Sequence, residues 1–214
     1  MKRIAIFGGS FDPFHLGHLE IIRTVDHHLK PDQILVVPCG NPPHRTNNYA
    51  DAQHRLNMIN LGCEALVPSL KAQLQIDNRE LVSNAISYSY HTVSAIAKEN
   101  PDCQLLTVLG WDSLQAFTSW HRWKDILALS ALAVVTRNDK TEIQSEDLPI
   151  SIQQIKEAQT LDLIEKGAIY ELPFTAVKVS STEIRAAIAQ GGSCDGSVSE
   201  SVTGYIKQNE LYRG

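Results

Sequence analysis

With 214 residues, 43% of them hydrophobic and 20% charged, the chain is long enough for one α/β domain with a full core, and a second independent domain would be cramped. A formal net charge of -5 argues against broad nucleic-acid binding while leaving room for a local basic pocket. No segment approaches the ~20 apolar residues of a membrane span, and a glycine turn interrupts the N-terminal apolar run, so neither a membrane anchor nor a signal peptide is expected.

In chain order, Arg3 to Phe7 is short, apolar and β-branched, as a buried parallel strand is. Gly8 and Gly9 let the backbone turn and approach a ligand, Asp12-Pro13 punctuates the loop, and Leu16, Leu19, Ile22 and Val25 mark a helix. Gln33 to Pro38 reads as a second buried strand and Cys39 to Asn48 as a polar loop. Asp51 caps a helix with Leu56, Ile59 and Leu66 apolar. A short strand over Leu74–Asp77, a helix over Ser87–Lys98 and a strong strand over Gln104–Leu109, ended by Gly110, come next. A helical stretch then runs through Trp120 and Trp123 to Leu127, and Ala131–Thr136 is the next strand.

Residues 138–167 read as a polar surface excursion, with a helix expected from Ile152 to Ile164. A strand over Ala168–Leu172 and a helix opening at Ser180 follow. Ser180-Ser-Thr-Glu183 has capping-box form, and Gly191 and Gly192 stop the helix. The last helix spans about Val198 to Gln208. Alternation of strand and helix predicts a single α/β domain over 1–214, a Rossmann-like, doubly wound parallel sheet with C-terminal helices. The four cysteines, Cys39, Cys63, Cys103 and Cys194, lack C-x-x-C spacing, so free thiols in a reducing cytoplasm are expected.

Two stretches carry chemistry. In Gly8-Gly-Ser-Phe-Asp-Pro-Phe-His-Leu-Gly-His18, His15 and His18 share one face at a helix N-terminus, where free N–H groups and the macrodipole favour an anion. No further His or Cys at ligand spacing completes a zinc set. Neither a G-x-x-x-x-G-K-[ST] loop nor a G-x-G-x-x-G follows the first strand. In Ser180-Ser181-Thr182-Glu183-Ile184-Arg185, hydroxyls cluster at another helix start with a permanently charged fork one turn in. On its own this reads first as a good N-cap.

The first stretch resembles the HxGH motif of the nucleotidyltransferases, and the second their Ser-Ser/Ala-Thr-x-Ile/Val-Arg motif. Pro42-Pro43-His44-Arg45, Ser87-Tyr88, Gly110-Trp111-Asp112, Trp120-His-Arg-Trp123, Tyr205-Ile206 and Leu211-Tyr212 follow in an order similar to that of the bacterial nicotinate-nucleotide adenylyltransferases. The resemblance implies transfer of AMP from ATP, with magnesium on its phosphates, to nicotinate mononucleotide. It implies that Gly8, Gly9, Ser10 and Phe11 surround the nucleotides, that His15 and His18 meet the ATP phosphates, and that Ser180, Ser181, Thr182 and Arg185 hold the β and γ end. Gly110 and Asp112 would lie near the adenosine, and Arg45 with His44 would reach the phosphates. Trp120, which as a bare residue reads as core, would stack on the pyridine, and backbone from Ser89 to Thr92 would receive its carboxylate. Trp123 keeps the core reading.

Ser89 and His91 depart from the family's Ser-Tyr-Thr pattern, Arg137-Asn138-Asp139 replaces Arg-Pro-Gly, and Ser199 replaces a common proline. A nicotinamide mononucleotide or dual-specificity enzyme, a phosphopantetheine enzyme and a catalytically silent nucleotide-binding regulator remain alternatives. Oligomeric state is left open.

Overall fold

A computed structural model describes residues 1–41, 50–83, 86–135, 152–154, 164–174 and 177–213. Its centre is a seven-stranded sheet in the order β3-β2-β1-β4-β5-β7-β6, with every pairing parallel. The strands are β1 (Arg3–Gly9), β2 (Gln33–Pro38), β3 (Gln73–Ile76), β4 (Gln104–Gly110), β5 (Ala131–Val135), β6 (Ile152–Gln154) and β7 (Ile169–Leu172). The helices are α1 (Leu16–Leu29), α2 (Ala52–Glu64), α3 (Ser89–Glu99), α4 (Trp111–Gln115), α5 (Trp123–Leu129), α6 (Ser181–Ala189) and α7 (Glu200–Gln208).

Strand periodicity sorts the core into two layers. Ala5, Phe7, Ile34, Val36, Leu106 and Val108 face one layer with residues of α1, α2, α6 and α7. Ile4, Ile6, Leu35, Val37, Leu105 and Leu109 face the other, with α3 and α5. Successive side chains point to opposite faces, so a strand covered on both sides reads as one continuous apolar run. From β1 the chain winds outward to β2 and β3, then returns to pair β4 on the other side of β1. The carboxyl ends of β1 and β4 therefore flank the switch point where doubly wound sheets bind ligands.

Three sequence expectations are corrected. The continuous helical stretch to Leu127 is broken into α4, a 3-10 turn at Phe117–Ser119 and α5, because Trp120 is extended and Arg122 sits at φ 56. A left-handed residue cannot continue a right-handed helix. In place of a helix starting at Ile152, Ile152–Gln154 pairs with Ile169–Glu171, and residues 155–163 lie outside the described residues. The free edge of β7 supplies a backbone partner that local pattern does not reveal. The third concerns α2, which ends at Glu64 and is followed by a 3-10 turn at Val67–Ser69, so Leu66 joins the core from outside the helix.

Gly40 and Gly204 define opposite limits of substitution. A Cβ at Gly40 would lie 1.9 Å from the Glu80 carbonyl oxygen, whereas one at exposed Gly204 within α7 would meet nothing within 4 Å. Gly40→Ala is therefore expected to lower stability by about 1–3 kcal/mol through overpacking. Gly204→Ala is expected to raise it by roughly 0.8–1 kcal/mol through helix propensity. Chemical-denaturation midpoints check both.

Candidate active site

The loop after β1 turns the two motif histidines into each other's caps. The His15 N–H donates to His18 Nδ1 at 3.1 Å, and the His18 N–H donates to His15 Nδ1 at 3.3 Å. The rings stack with centroids 3.6 Å apart. With Nδ1 accepting in both rings, the hydrogen-bond network assigns the proton of each neutral imidazole to Nε2. The pair thus offers neutral N–H donors at the start of α1, where the helix dipole adds partial positive charge. Burial among Phe7, Phe11 and Phe14, followed by the neighbouring His15, holds His18 well below the ordinary histidine range.

Close approach at this loop depends on two glycines. A Cβ on Gly17 would sit 3.0 Å from His15 Cε1, and one on Gly9 would sit 2.9 Å from Phe11 Cε1. Phe11 itself holds φ 51 and is buried, so its ring is a wedge under the loop.

The second motif is tied directly to the first. Ser181 Oγ donates to the Pro13 carbonyl at 3.2 Å, and Arg185 donates to the Asp12 carbonyl at 2.6 Å. Ser180 Oγ accepts the Glu183 N–H at 3.2 Å, as a cap should. The capping-box reading is corrected in its second half: the Glu183 carboxylate accepts from the Ser180 hydroxyl at 2.8 Å. Thr182 is exposed in the first turn of α6, with Arg185 reaching its Oγ1 at 3.5 Å. The N-termini of α1 and α6 consequently bracket one loop.

A cavity of about 370 Å³ opens on the opposite side of that loop, between the ends of β1, β2 and β4 and the start of α3. Gly8, Gly9, Ser10, Ser89, Thr92 and Trp120 line it. Half-buried Trp120 lines the cavity and also packs against the α3–α5 core layer, as Trp123 does. Tyr88 at the N-cap of α3 makes no side-chain capping bond, and the His91 N–H donates to the Tyr88 carbonyl at 2.9 Å, so this helix start, with Ser89 in the cavity wall, has no side-chain cap. The Thr92 hydroxyl donates to Glu80. Arg79, forked between Asp77 at 2.7 Å and Glu99 at 2.8 Å, anchors the segment that carries Glu80.

Not every predicted residue joins these two groups. Gly110 ends β4 as the N-cap of α4, and Asp112 is exposed one residue into that helix, next to Ser113, which does line the cavity. His44 and Arg45 lie outside the described residues. Tyr205, grouped with the motif residues in the sequence, accepts from Asn57 at 2.7 Å and pairs with His54 at 2.9 Å, which joins α7 to α2.

Sequence reasoning missed Arg55. It is 1% exposed, lines the cavity, and donates to the Ser10 and Cys39 carbonyls at 2.9 and 2.7 Å. Its signal was positional: with Met58, Ile59 and Gly62 it occupies the i, i+3, i+4, i+7 stripe that α2 buries. A charge on an apolar stripe needs a partner inside.

An all-parallel doubly wound sheet with two helix N-termini and an adjoining cavity at its switch point defines a nucleotide-binding α/β protein. The cytidylyltransferase-like family profile matches residues 6–187. A relative from Bordetella avium named probable nicotinate-nucleotide adenylyltransferase is 35% identical over 100% of this chain and 99% of its own length. One of the same name from Methylococcus capsulatus is 33% identical over 98% and 99%. The solved Plasmodium falciparum nicotinic acid mononucleotide adenylyltransferase complexed with NaAD shares the fold, with TM-score 0.73 at 18% identity over 99% and 98% of the two chains. The chain belongs to the cytidylyltransferase-like family and, within it, to the nicotinate-nucleotide adenylyltransferases.

The lowered His18 titration has a definite sign. Below pH 6.5 the unfolded chain takes up a proton that folded His18 refuses, so stability falls as the solution is acidified through that point. Imidazole NMR is expected to show His18 as the neutral Nε2–H tautomer at pH 6.5, and His18→Asn should remove its share of the acid slope. A His18 midpoint at the ordinary value would contradict the capped arrangement.

Proposed function

We propose that this chain transfers AMP from Mg-ATP to nicotinate mononucleotide, giving deamido-NAD and pyrophosphate in NAD biosynthesis. The observation that carries this reading is the bonding of Ser181 and Arg185 to Pro13 and Asp12, which brings two anion-binding helix starts onto one loop beside the Trp120 cavity. The acceptor's 5′-phosphate oxygen forms a bond to the α-phosphorus. The bond from that phosphorus to the bridging oxygen breaks, and pyrophosphate leaves. A phosphate is already nucleophilic at neutral pH, so positioning and stabilisation of the departing charge supply most of the rate.

In this reading, the Nε2–H groups of His15 and His18 donate to the triphosphate, and Ser180, Ser181, Thr182 and Arg185 receive its β and γ end. Neutral donors suit the task, because they hold an anion without requiring a buried cation to keep its proton. Gly8, Gly9, Ser10 and Phe11 form the backbone between the two nucleotides, and Gly110 and Asp112 lie toward the adenosine. Trp120 stacks on the pyridine. The start of α3, from Ser89 to Thr92, receives the carboxylate through main-chain N–H groups that no side chain caps. The family resemblance assigns Arg45 and His44, which lie outside the described residues, to the phosphates.

Magnesium arrives with the triphosphate as part of the substrate; among the described residues there is no group of three or more His, Cys, Asp or Glu placed to hold an ion of its own. Cys39, Cys63, Cys103 and Cys194 are unbridged thiols, which fits the cytoplasmic setting of the reading. No described helix is long and apolar enough to cross a membrane.

Pyrophosphate release from Mg-ATP is expected to be strong with nicotinate mononucleotide and weak with nicotinamide mononucleotide or phosphopantetheine. Equal use of both pyridine nucleotides would show that Ser89 and His91 do not preserve carboxylate selection. Removing one transition-state donor, His18→Ala, is expected to cost ~2.7–4 kcal/mol in kcat. Near-normal turnover would exclude His18 from the chemistry.

A further inference from the structure

Of the described side chains that line the cavity, two are charged, Arg55 and Glu80. Arg55 has little to offer a ligand. One terminal nitrogen is turned to the Ser10 and Cys39 carbonyls, and its Nε and other terminal nitrogen are sealed from solvent. Glu80 is different: it is half-buried, and its carboxylate belongs to the cavity wall.

Glu80 is held at both ends. The hydroxyl of Thr92, which also lines the cavity, donates to Oε1, and Oε2 forms no hydrogen bond among the described residues. At its main chain, the Glu80 carbonyl crowds Gly40 so closely that a Cβ there would lie 1.9 Å from the oxygen. Ser87 Oγ ties the same stretch after β2, accepting the N–H groups of Gly40 and Asn41 at 3.1 and 3.0 Å. Neighbouring Arg79 does not neutralise the carboxylate, because its guanidinium is bonded to Asp77 and Glu99. A side chain fixed in this way has given up its rotamer freedom before any ligand arrives.

We propose that Glu80 binds the ribose hydroxyls of the acceptor mononucleotide through Oε2, and so sets the register in which the acceptor lies. An ionised carboxylate can only accept hydrogen bonds. The acceptor's phosphate and its pyridine carboxylate are anions that Glu80 repels, the more so inside a cavity of low dielectric. The ring nitrogen is bonded to the ribose and carries no hydrogen. Of the parts of the acceptor, the ribose diol alone has polar hydrogens to give. With the Thr92 hydroxyl committed to Glu80, the pyridine carboxylate is left with main-chain N–H groups at the start of α3.

The inference rests on the acceptor reading above, and its test separates the two. Pyrophosphate release is measured with nicotinate mononucleotide and with its 2′-deoxy and 3′-deoxy analogues, on wild-type protein, Glu80→Ala and Glu80→Gln. On the wild type, loss of the bonded hydroxyl is expected to lower kcat/KM by about 10–100-fold, the size of a hydrogen bond to a charged group. On Glu80→Ala the same loss is expected to cost about threefold or less, because the bond is already gone. A Glu80 that merely steadies Thr92 would lower activity on all three acceptors by one common factor. A deoxy penalty equal in wild type and Glu80→Ala therefore overturns the proposal, as does a wild type indifferent to both hydroxyls.

Should Glu80→Ala not fold, Glu80→Gln decides, since it keeps the side-chain length and an oxygen for Thr92 but removes the charge. A reduced deoxy penalty supports the bond, and an unchanged one overturns it. The ribose is common to both pyridine nucleotides. If the wild type uses nicotinamide mononucleotide instead, the acceptor reading fails on the base alone, and the same comparison on that nucleotide's deoxy analogues judges Glu80. Use of neither pyridine nucleotide overturns both.

Discussion

The bond from the Arg185 guanidinium to the main-chain oxygen of Asp12 joins two ends of the chain that are 173 residues apart. Without it, the N-termini of α1 and α6 would be two separate helix starts. With it, and with Ser181 on Pro13, they become opposite sides of one loop. A charged donor on a carbonyl is stronger than a neutral pair and here is partly shielded from water. The loop is fixed from below as well, by the Phe11 wedge and by Arg55. Few of its polar groups are left to choose another conformation, and preorganisation of this kind is what group transfer between two polyanions requires.

The site has two halves because the sheet has two faces. Alternating side chains of β1 send Phe7 toward α1 and the histidine pair, and Ile6 toward the cavity beneath α3. Gly8, Gly9 and Ser10, at the end of the same strand, lie between the halves. In the proposed reading, a donor phosphate chain on one side and an acceptor nucleotide on the other meet over a main chain with no Cβ in the way at two successive positions. The histidine caps also fix their own tautomers: each ring gives up Nδ1 to the backbone and so leaves the Nε2–H to donate.

Much of the fold was legible in local pattern. The apolar runs of β1, β2, β4 and β5 needed only their composition, since strands covered on both faces carry no polar alternation to confuse them. Failures came where distant chain decided the outcome. Ile152–Gln154 pairs as a strand because β7 leaves an edge open, and the break at Trp120 to Arg122 follows no proline or glycine. Arg55 hid for a related reason. A single charge in a helix reads as a solvent-facing residue until the buried stripe is placed against the two carbonyls it serves.

By itself, the sequence determined the double glycine turn, the two helix starts with their hydroxyls and imidazoles, and the βαβ order, because each depends on residues within a few positions of one another. It also carried the family resemblance, since motifs in order survive without coordinates. Tertiary structure alone decided that the two helix starts share a loop, that Trp120 lines a cavity, and that Arg55 is buried beside that cavity against two carbonyls. Those are contacts across long sequence separations, set by how the sheet winds and which strand ends it brings together. No local preference of the chain encodes them.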